Sequence, residues 1–365
     1  MAMWMLLHWQ CHNRRYLLTF FANEFTTVRC KGVGHQSGMN YATRRDLYRQ
    51  IEAERHTKCI AFVTGERLGL QTIIAADAVE PFVSLLDQIG PTPKLSLIID
   101  TNGGDTSAAW RIINLLQSFG DDFEVIVPTK AMSAGTLISL GANRIVMTKQ
   151  AALGPIDPSL VNHPLNPEVV VPGIPVPQKI PVSAEAVRGY LEEVKKDATD
   201  PAAIASVWTH LATQIHPIVL GEIFRRGEQI RSMAKKLIKT QVEDPETQDR
   251  IINLLCSDSG SHDYTINRRE AADIGLNIEK CSAALYPVLS GLTKSYHAEL
   301  KTFEPYSPND LLAGQPRVNY TLVRGLIEAT DAGCFGFVSE GEIVAGQQAG
   351  TFGDMRRFEG WRKMS

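Results

Sequence analysis

The sequence predicts an α/β protein built on a mainly parallel β-sheet with flanking helices. Short apolar runs alternate with amphipathic helical patterns over about 90 residues in the first half of the chain. Two of these runs end in turns rich in glycine and small residues, as strands do before a crossover helix. With 365 residues, of which 44% are hydrophobic and 21% charged, the chain can bury a full core. Strands that alternate with helices form βαβ units, so we expect a parallel sheet covered by helices on both faces.

The first half supplies a regular series of predicted elements. Each strand is a short apolar run, and each helix has apolar side chains at helical spacing. We expect Pro81 in the first turns of its helix, because a proline further along would kink it. In chain order the predicted elements are a helix at 44–55, a strand at 59–64, a helix at 75–89, a strand at 95–100, a helix at 107–119, a strand at 123–128, a helix at 134–140 and a strand at 144–148.

The middle of the chain is less regular. Residues 153–181 are rich in proline and have little periodicity, and loops of this length are often functional. Helical pattern resumes at Ser183 and continues with breaks for some seventy residues. Asn267 is then a predicted N-cap, with Glu270 three residues further on, of a short helix that stops at Gly275.

These patterns divide the chain into three parts. Residues 1–40 lack a sustained period and are interpreted as an N-terminal appendage. Residues 41–285 form the α/β domain. Residues 286–365 are a C-terminal extension to which the sequence assigns no role, with a predicted helix at 320–329 and a strand-like segment at 335–346.

Composition and charge argue against several classes of protein. The formal net charge of −3 and the pI of about 6.3 give no basic surface for nucleic acid. The six cysteines are far apart and form no CxxC pair, so we expect no zinc site and no disulfide framework. We expect no metal or other cofactor. The apolar N-terminus is broken by His and Arg well before the ~20 residues of a membrane span, and no basic region precedes it. These features predict a cytoplasmic protein.

The first chemically informative turn is a glycine pair after the strand at 95–100. Gly103 and Gly104 follow Asp100-Thr-Asn directly and precede a helix. Without a Cβ, such residues let the backbone turn sharply and leave their N–H groups accessible to an anion or a developing oxyanion. Asp105 also fits an ordinary helix N-cap, so the pair alone is a weak signal.

The second turn contains Ser133 between a strand and a helix. Its sequence, Ala-Met-Ser133-Ala134-Gly135, opens the helix predicted at 134–140. Helix N–H groups and the helix dipole would favour an alkoxide at this position, and the small residues let a substrate carbonyl approach. A serine at a helix start is also a common N-cap. The two turns together are more informative, because open α/β sheets bind ligands at the carboxyl ends of neighbouring parallel strands.

Three segments carry a resemblance to a known family. They are IDTNGGD (99–105), AMSAGTLISLGANRIVMTKQAALGPIDP (131–158) and SHDYTINRREAADIGL (261–276). Together they resemble the serine dehydrogenase proteinases, a group of SppA-like or ClpP-class serine peptidases. The resemblance implies a ClpP/crotonase-like fold with repeated ββα units. It also implies that Ser133 is the nucleophile and that the oxyanion hole is formed by the N–H groups of Ala134 and of Gly103 or Gly104.

The related peptidases differ in the residue that acts as the base. Clp-type enzymes use a histidine about 25 residues after the serine, where this chain has none; His163 follows 30 residues after Ser133. Signal-peptide-peptidase-like and archaeal membrane-protein-specific relatives use a Ser–Lys dyad instead, and in the archaeal relatives the lysine follows a proline-rich loop and opens a helix. Lys179, 46 residues after Ser133, fits that place. A lysine accepts a proton only when neutral, so we expect the apolar residues around it to bury the amine.

The resulting hypothesis is a serine endopeptidase that acts through an acyl-enzyme, with Lys179 as base and His163 as the alternative base. His262, Asp157 and Lys149 are better explained by structural or surface roles. We expect a peptide, an unfolded protein or a membrane-protein segment as substrate, a homo-oligomer as the assembly, and membrane association only through a substrate or partner. Two alternatives are a crotonase-like acyl-CoA hydrolase or isomerase, which needs no serine at 133, and a non-catalytic assembly module of the same fold.

Overall fold

The computed structural model describes residues 40–171, 176–197, 200–258, 264–347 and 350–364. All but the last residue of the predicted appendage therefore lie outside the described residues. The helices are α1 (Tyr41–Arg55), α2 (Val79–Ile89), α3 (Thr106–Phe119), α4 (Ala134–Leu140), α5 (Ala184–Asp197), α6 (Pro201–Gln214), α7 (Pro217–Leu237), α8 (Pro245–Asn253), α9 (Arg268–Asp273), α10 (Leu285–Leu300) and α11 (Pro308–Leu312).

The strands form one large sheet and several short pairings. In chain order they are β1 (Lys58–Thr64), β2 (Thr92–Asp100), β3 (Gly120–Val127), β4 (Lys130–Ala131), β5 (Arg144–Met147), β6 (Ala152–Leu153), β7 (Ser159–Leu160), β8 (Glu168–Val169), β9 (Gln178–Lys179), β10 (Val182–Ser183), β11 (Ile266–Asn267), β12 (Ile278–Lys280), β13 (Arg317–Ala329), β14 (Gly333–Ala345) and β15 (Phe352–Lys363). Each element predicted between residues 44 and 148 is present within a few residues of its expected ends.

The central sheet has eight strands in the order β12-β5-β3-β2-β1-β13-β14-β15. The first five are parallel neighbours, with Leu97 of β2 paired to Val125 of β3, for example. From β1 onward the pairing is antiparallel. The sheet therefore confirms the predicted α/β class and its parallel character.

Helices cover the parallel strands on both faces, as the continuous apolar runs require. Ile60 and Phe62 of β1 pack in the core cluster that includes α2, α3, α4 and α7. Cys59, Ala61 and Val63 point the other way, into the cluster formed with α1 and α10. This alternation follows from the two-residue period of a strand, and it explains why β1 is apolar at nearly every position.

A small sheet at the carboxyl ends of these strands positions the serine turn. It has the order β11-β6-β4, and an isolated bridge joins Thr101 to Ala131 of β4. Strand β3, strand β4 and helix α4 thus form one ββα unit. The capped helix predicted after Asn267 is also found, since the Asn267 side chain accepts from the N–H groups of Arg269 and Glu270.

The proline-rich segment contains only two-residue strands, and it leads to a separate small core. Strands β7 and β10 pair there, and β8 pairs with β9. Helices α5, α6 and α7 bury residues such as Leu160, Val187 and Val219 in this core.

The predicted helix at 320–329 is wrong, because those residues belong to strand β13. One end of β13 pairs with β1, with Ile327 opposite Phe62, and its whole length pairs with β14. Pairing with two strands satisfies the backbone of this segment more completely than an isolated helix at the surface would. The strand-like segment at 335–346 is confirmed as part of β14. The C-terminal residues thus continue the central sheet. Within the described ranges, every helix is too short or too polar to cross a membrane.

Candidate active site

Ser133 occupies a strained turn between β4 and α4. Its backbone has φ 48° and ψ −112°, a conformation that residues other than glycine rarely adopt. The bonds Thr101 N–H to Lys130 O (3.1 Å) and Met132 N–H to Thr101 O (3.0 Å) hold the chain that enters the turn. The Ser133 side chain caps no N–H of α4. Ser133 is therefore not the simple N-cap that the sequence also permitted, and strain of this kind is concentrated at functional sites.

The glycine pair lies directly against Ser133. Gly103 has φ +100°, and a Cβ there would lie 2.8 Å from the Ser133 Cβ and 2.7 Å from Met132 O. Gly104 has φ +148°, and a Cβ there would lie 2.2 Å from Ile74 O. Only glycine fits these close approaches. The structure thus brings the two predicted turns together at the ends of neighbouring parallel strands.

Existing hydrogen bonds distinguish Gly103 from Gly104 as the second donor of the oxyanion hole. Gly103 N–H donates to Thr101 Oγ1 at 3.0 Å. Within the described part of the chain, neither Gly104 N–H nor Ala134 N–H has an acceptor. Because an oxyanion needs donors that are not already engaged, the geometry favours Gly104 over Gly103 as the partner of Ala134.

Ser133 opens onto two clefts, one on each side. The first, called here the Lys130 cleft, has a volume of about 580 Å³. The second, called the Glu222 cleft, has a volume of about 650 Å³. Asn102 and Ser133 line both. The Lys130 cleft also contains Thr129, Met132, Gln150, Ala152, Pro155 and Thr265.

Helix α4 is anchored beneath the turn by close packing. A Cβ on Gly135 would lie 2.5 Å from Thr101 Cγ2, so only glycine lets the helix approach β2 this closely. Thr136 Oγ1 donates to Ala131 O (2.7 Å) and accepts from Gly154 N–H (3.1 Å). The Gly154-Pro-Ile-Asp-Pro segment is therefore held against the start of α4, which gives it a structural role beside the site.

A buried carboxyl lies behind the glycine turn. Asp100 ends β2 with 5% of its surface exposed, and burial raises its pKa to about 6. The negative charge of Glu66 contributes to this raised pKa, whereas the positive charge of Lys130 opposes it. Lys130 forms an ion pair with Glu66 (Nζ to Oε2, 2.7 Å) and lines the cleft that contains Ser133.

The structure does not bring Lys179 to Ser133. Lys179 Nζ donates to Glu168 Oε1 and to Pro164 O, both at 2.6 Å, and Lys179 lines neither cleft. The apolar burial expected around it is also absent, since Val176 is 63% and Ile180 42% exposed. An ion pair with a carboxylate stabilises the charged ammonium, which is the form that cannot accept a proton.

The other candidate bases are also held by neighbours or lie outside the described residues. His163 Nε2 lies 3.3 Å from Glu222 Oε2, and its Nδ1 accepts from Leu165 N–H. Asp157 lines the Glu222 cleft and accepts from Ser183 Oγ at 2.8 Å. Lys149 Nζ lies over the Tyr286 ring. His262 lies outside the described residues.

The sequence interpretation missed two residues that shape the site. Thr101 bonds to Thr64 Oγ1 and to the Gly103 N–H, and so fixes the glycine turn. Lys130 is the only charged side chain among the described residues that line its cleft. Thr101 lies two residues before Gly103 and Lys130 three residues before Ser133, and that proximity was the available signal. Across the described ranges, no group of three or more His, Cys, Asp or Glu side chains could hold a metal.

Comparison with known proteins finds similar sequences and structures. A protein of Methanocaldococcus jannaschii, itself uncharacterized, is 26% identical over 243 residues, which are 65% of this chain and 73% of the relative. Among solved structures, ClpP1 from Listeria monocytogenes is similar with a TM-score of 0.33 and 14% identity, over 62% of this chain and 94% of that one. A mutant of the membrane-bound stomatin-specific protease 1510-N is similar with a TM-score of 0.31 and 15% identity, over 60% and 79%.

The family match covers the elements that build the site. Residues 32–180 match the family described as ClpP-like SDH-type serine proteinase. This range includes the glycine turn, the serine turn and the parallel strands β1, β2, β3 and β5 that position them. Over residues 32–180, the chain is similar to the ClpP-like SDH-type serine proteinases.

Proposed function

We propose that the protein is a serine endopeptidase with Ser133 as its nucleophile. The single observation that carries the proposal is the positive-φ turn at Ser133, which lies against the glycine pair and opens onto two clefts. In this mechanism Ser133 Oγ bonds to the substrate carbonyl carbon, and the hydroxyl proton passes to the base and then to the leaving amine. Water hydrolyses the acyl-enzyme. The N–H groups of Gly104 and Ala134 stabilise the oxyanion.

We retain Lys179 as the proposed base, on the condition that it leaves its present hydrogen-bond partners. Its ion pair with Glu168 (2.6 Å) must open before the amine can lose its proton. Lys130 is the competing amine, because it lines the cleft of Ser133 while paired with Glu66. The two lysines have similarly exposed side chains, 30% and 31%, so their mutational effects can be compared directly.

Covalent labelling by a fluorophosphonate tests the nucleophile. We expect the full chain to be labelled and Ser133→Ala to remain unlabelled and inactive, because the variant lacks the attacking oxygen. Ser107→Ala is the matched control, since Ser107 lines the Glu222 cleft at an ordinary position in α3 and should keep full labelling. Undiminished peptidase activity in Ser133→Ala would overturn the mechanism. Absence of labelling in the unaltered chain would favour a crotonase-like or non-catalytic role.

The dependence of kcat/KM on pH tests the base. A lysine base predicts a rate that keeps rising into alkaline pH, whereas a histidine base predicts a plateau near neutrality. Lys179→Met should cost roughly 10³-fold or more, as loss of a catalytic partner does elsewhere. Glu168→Gln removes the carboxylate that holds Lys179 in its ion pair, and should raise kcat/KM if Lys179 is the base.

Control variants identify the base if it is not Lys179. Lys130→Met and Glu66→Gln repeat the same two changes at the competing pair, and His163→Gln and His262→Gln cover the histidines. If Lys179→Met keeps its activity while one of these variants loses it, the Ser133–Lys179 dyad is wrong.

The expected substrate is a peptide, an unfolded protein or a membrane-protein segment, and copies of the chain are expected to assemble. Exposed apolar side chains on the proline-rich segment and α6 support a contact surface there, and include Val161, Leu165, Val170, Val176 and Trp208. Light scattering of the purified chain tests the assembly, and a monomer mass at all concentrations would contradict it.

A further inference from the structure

A third depression lies next to the Lys130 cleft. It has a volume of about 660 Å³ and is called here the Arg269 cleft. Ala152 of β6 lines the Lys130 cleft, and its register partner Asn267 of β11 lines the Arg269 cleft. Gln150 and Lys149, which are adjacent in the chain, likewise line one cleft each. The two depressions are therefore neighbours along the small sheet.

Three cations line the Arg269 cleft without a carboxylate partner in the described part of the chain. Lys149 Nζ lies 4.9 Å from the centre of the Tyr286 ring. Arg268 Nη1 makes one long bond, 3.4 Å, to Met147 O. Arg269 makes no side-chain hydrogen bond or ion pair to any described residue. By contrast, Arg356 pairs with Glu359 of its own strand, and Arg362 pairs with Glu340 of the neighbouring strand β14.

The side chains that line the Arg269 cleft and those that line the Glu222 cleft differ in the sign of their net charge. The Arg269 cleft also contains Glu270 and Asp273, so its three cations leave a net charge of +1. Glu270 is already engaged, because Tyr264 donates its hydroxyl proton to it. On the other side of Ser133, the Glu222 cleft has three carboxylates and two guanidinium groups, a net charge of −1: Asp105, Asp157, Glu222, Arg225 and Arg226.

We infer that the Arg269 cleft binds a carboxylate of the substrate peptide, on one side of the scissile bond. Guanidinium groups bind carboxylates through paired N–H donors, and Lys149 adds a flexible point charge. The inference rests on the proposed peptidase function and deepens it, since it selects peptides with an acidic side chain or a free C-terminal carboxylate on that side. The uncharged side chains of the Lys130 cleft lie between this subsite and Ser133, together with Lys130, whose charge is paired with Glu66.

Binding to the full-length Ser133→Ala chain tests the inference without turnover. The probes are three fluorescent peptides of one length: one with a glutamate, one with glutamine in its place and an amidated C-terminus, and one with glutamine and a free C-terminus. Fluorescence anisotropy gives their dissociation constants. We expect one or both carboxylate-bearing peptides to bind about three- to tenfold more tightly than the amide, and the advantage to shrink in 0.5 M salt. The comparison between the two shows which carboxylate the cleft takes.

Two double variants that remove the same charge from different places test whether the Arg269 cleft causes the binding advantage. Arg268→Gln combined with Arg269→Gln should reduce the advantage to within about twofold. Lys195→Gln combined with Lys239→Gln removes the same charge from exposed sites outside the three clefts, and should leave the advantage intact. Equal binding of all three peptides, equal losses in both double variants, or complete competition by inorganic phosphate would overturn the inference. Failure of the peptidase mechanism would appear separately, as absence of fluorophosphonate labelling.

Discussion

At the scale of single residues, the contact between Gly103 and the serine turn is the most sensitive point of the site. A Cβ at Gly103 would lie within 3 Å of both Met132 O and the Ser133 Cβ. Neither atom belongs to a flexible side-chain end, so the two turns would have to separate. We expect Gly103→Ala to slow fluorophosphonate labelling at least tenfold and to lower the free energy of unfolding by more than about 1 kcal/mol.

Gly90→Ala is the matched control for this change. Gly90 also has positive φ, +71°, but a Cβ there would meet nothing within 4 Å. This variant therefore carries only the backbone cost, about 1 kcal/mol, and should keep full labelling. Equal labelling rates in the two alanine variants would show that the Gly103 contact does not shape the site.

The buried Asp100 carboxyl should make the folded state less stable as the pH rises through the weakly acidic range. Its pKa is raised from 3.8 to about 6 in the folded chain, chiefly by burial. Between these values the folded state holds more protons than the unfolded state, so the free energy of unfolding falls as pH increases. The contribution is full below pH ~4 and lost above pH ~6, and amounts to about 3 kcal/mol.

Denaturant unfolding of Asp100→Asn at pH 4.5 and 7.5 measures this effect. We compare the free energy of unfolding of the variant with that of the unaltered chain. The difference should favour the variant more at pH 7.5 than at pH 4.5, because the amide carries no charge at either pH. Glu124, whose pKa is lowered to about 2 in the folded chain, is present in both proteins, so its contribution cancels in the comparison. A difference between the two proteins that is independent of pH would contradict the raised pKa.

At the scale of residues, the sequence predicted the meeting of the serine turn and the glycine turn, because both turns are local motifs. Ser133 and the glycine pair sit in short motifs that follow apolar strands, and adjacent parallel strands bring such turns to one edge. The choice between Gly103 and Gly104 needed the Thr101 hydroxyl, whose direction no motif encodes. The position of Lys179 depends on the path of a proline-rich loop with few periodic contacts, and sequence patterns do not determine that path.

At the scale of elements, β13 shows why a local pattern misled. Its sequence allows a helical reading at 320–329, but the decisive contacts are with β1, more than 250 residues earlier. Glu328 illustrates them: its carboxylate accepts from Arg44 of α1 and from the Tyr48 hydroxyl, with Arg44 and Glu328 both fully buried. A buried pair of this kind fixes which elements meet, and neither partner is recognisable from the sequence around it.

At the scale of the whole molecule, the C-terminal strands complete the sheet that carries the site. Strand β13 covers the edge of β1 through five residue pairs, from Ile60 opposite Ala329 to Thr64 opposite Gly325. Trp361 of β15 packs against Phe62, which is fully buried in the main core. The sequence divided the chain at residue 285, whereas the described residues from Asn40 to Met364 group into one compact unit.

Truncation after residue 313 should therefore prevent the site from forming. The shortened chain would expose the unpaired edge of β1, an apolar strand buried at every position except Lys58, and such edges promote aggregation. It would also leave the buried Arg44 guanidinium without Glu328, a loss that typically costs about 3–5 kcal/mol. We expect little soluble protein, no cooperative unfolding and no fluorophosphonate labelling. Removal of residues 1–39 is the control, and should preserve all three properties because those residues show no core-forming period. If the chain that ends at residue 313 were soluble, cooperative and labelled at Ser133, the C-terminal strands would be an accessory to the domain and not part of its fold.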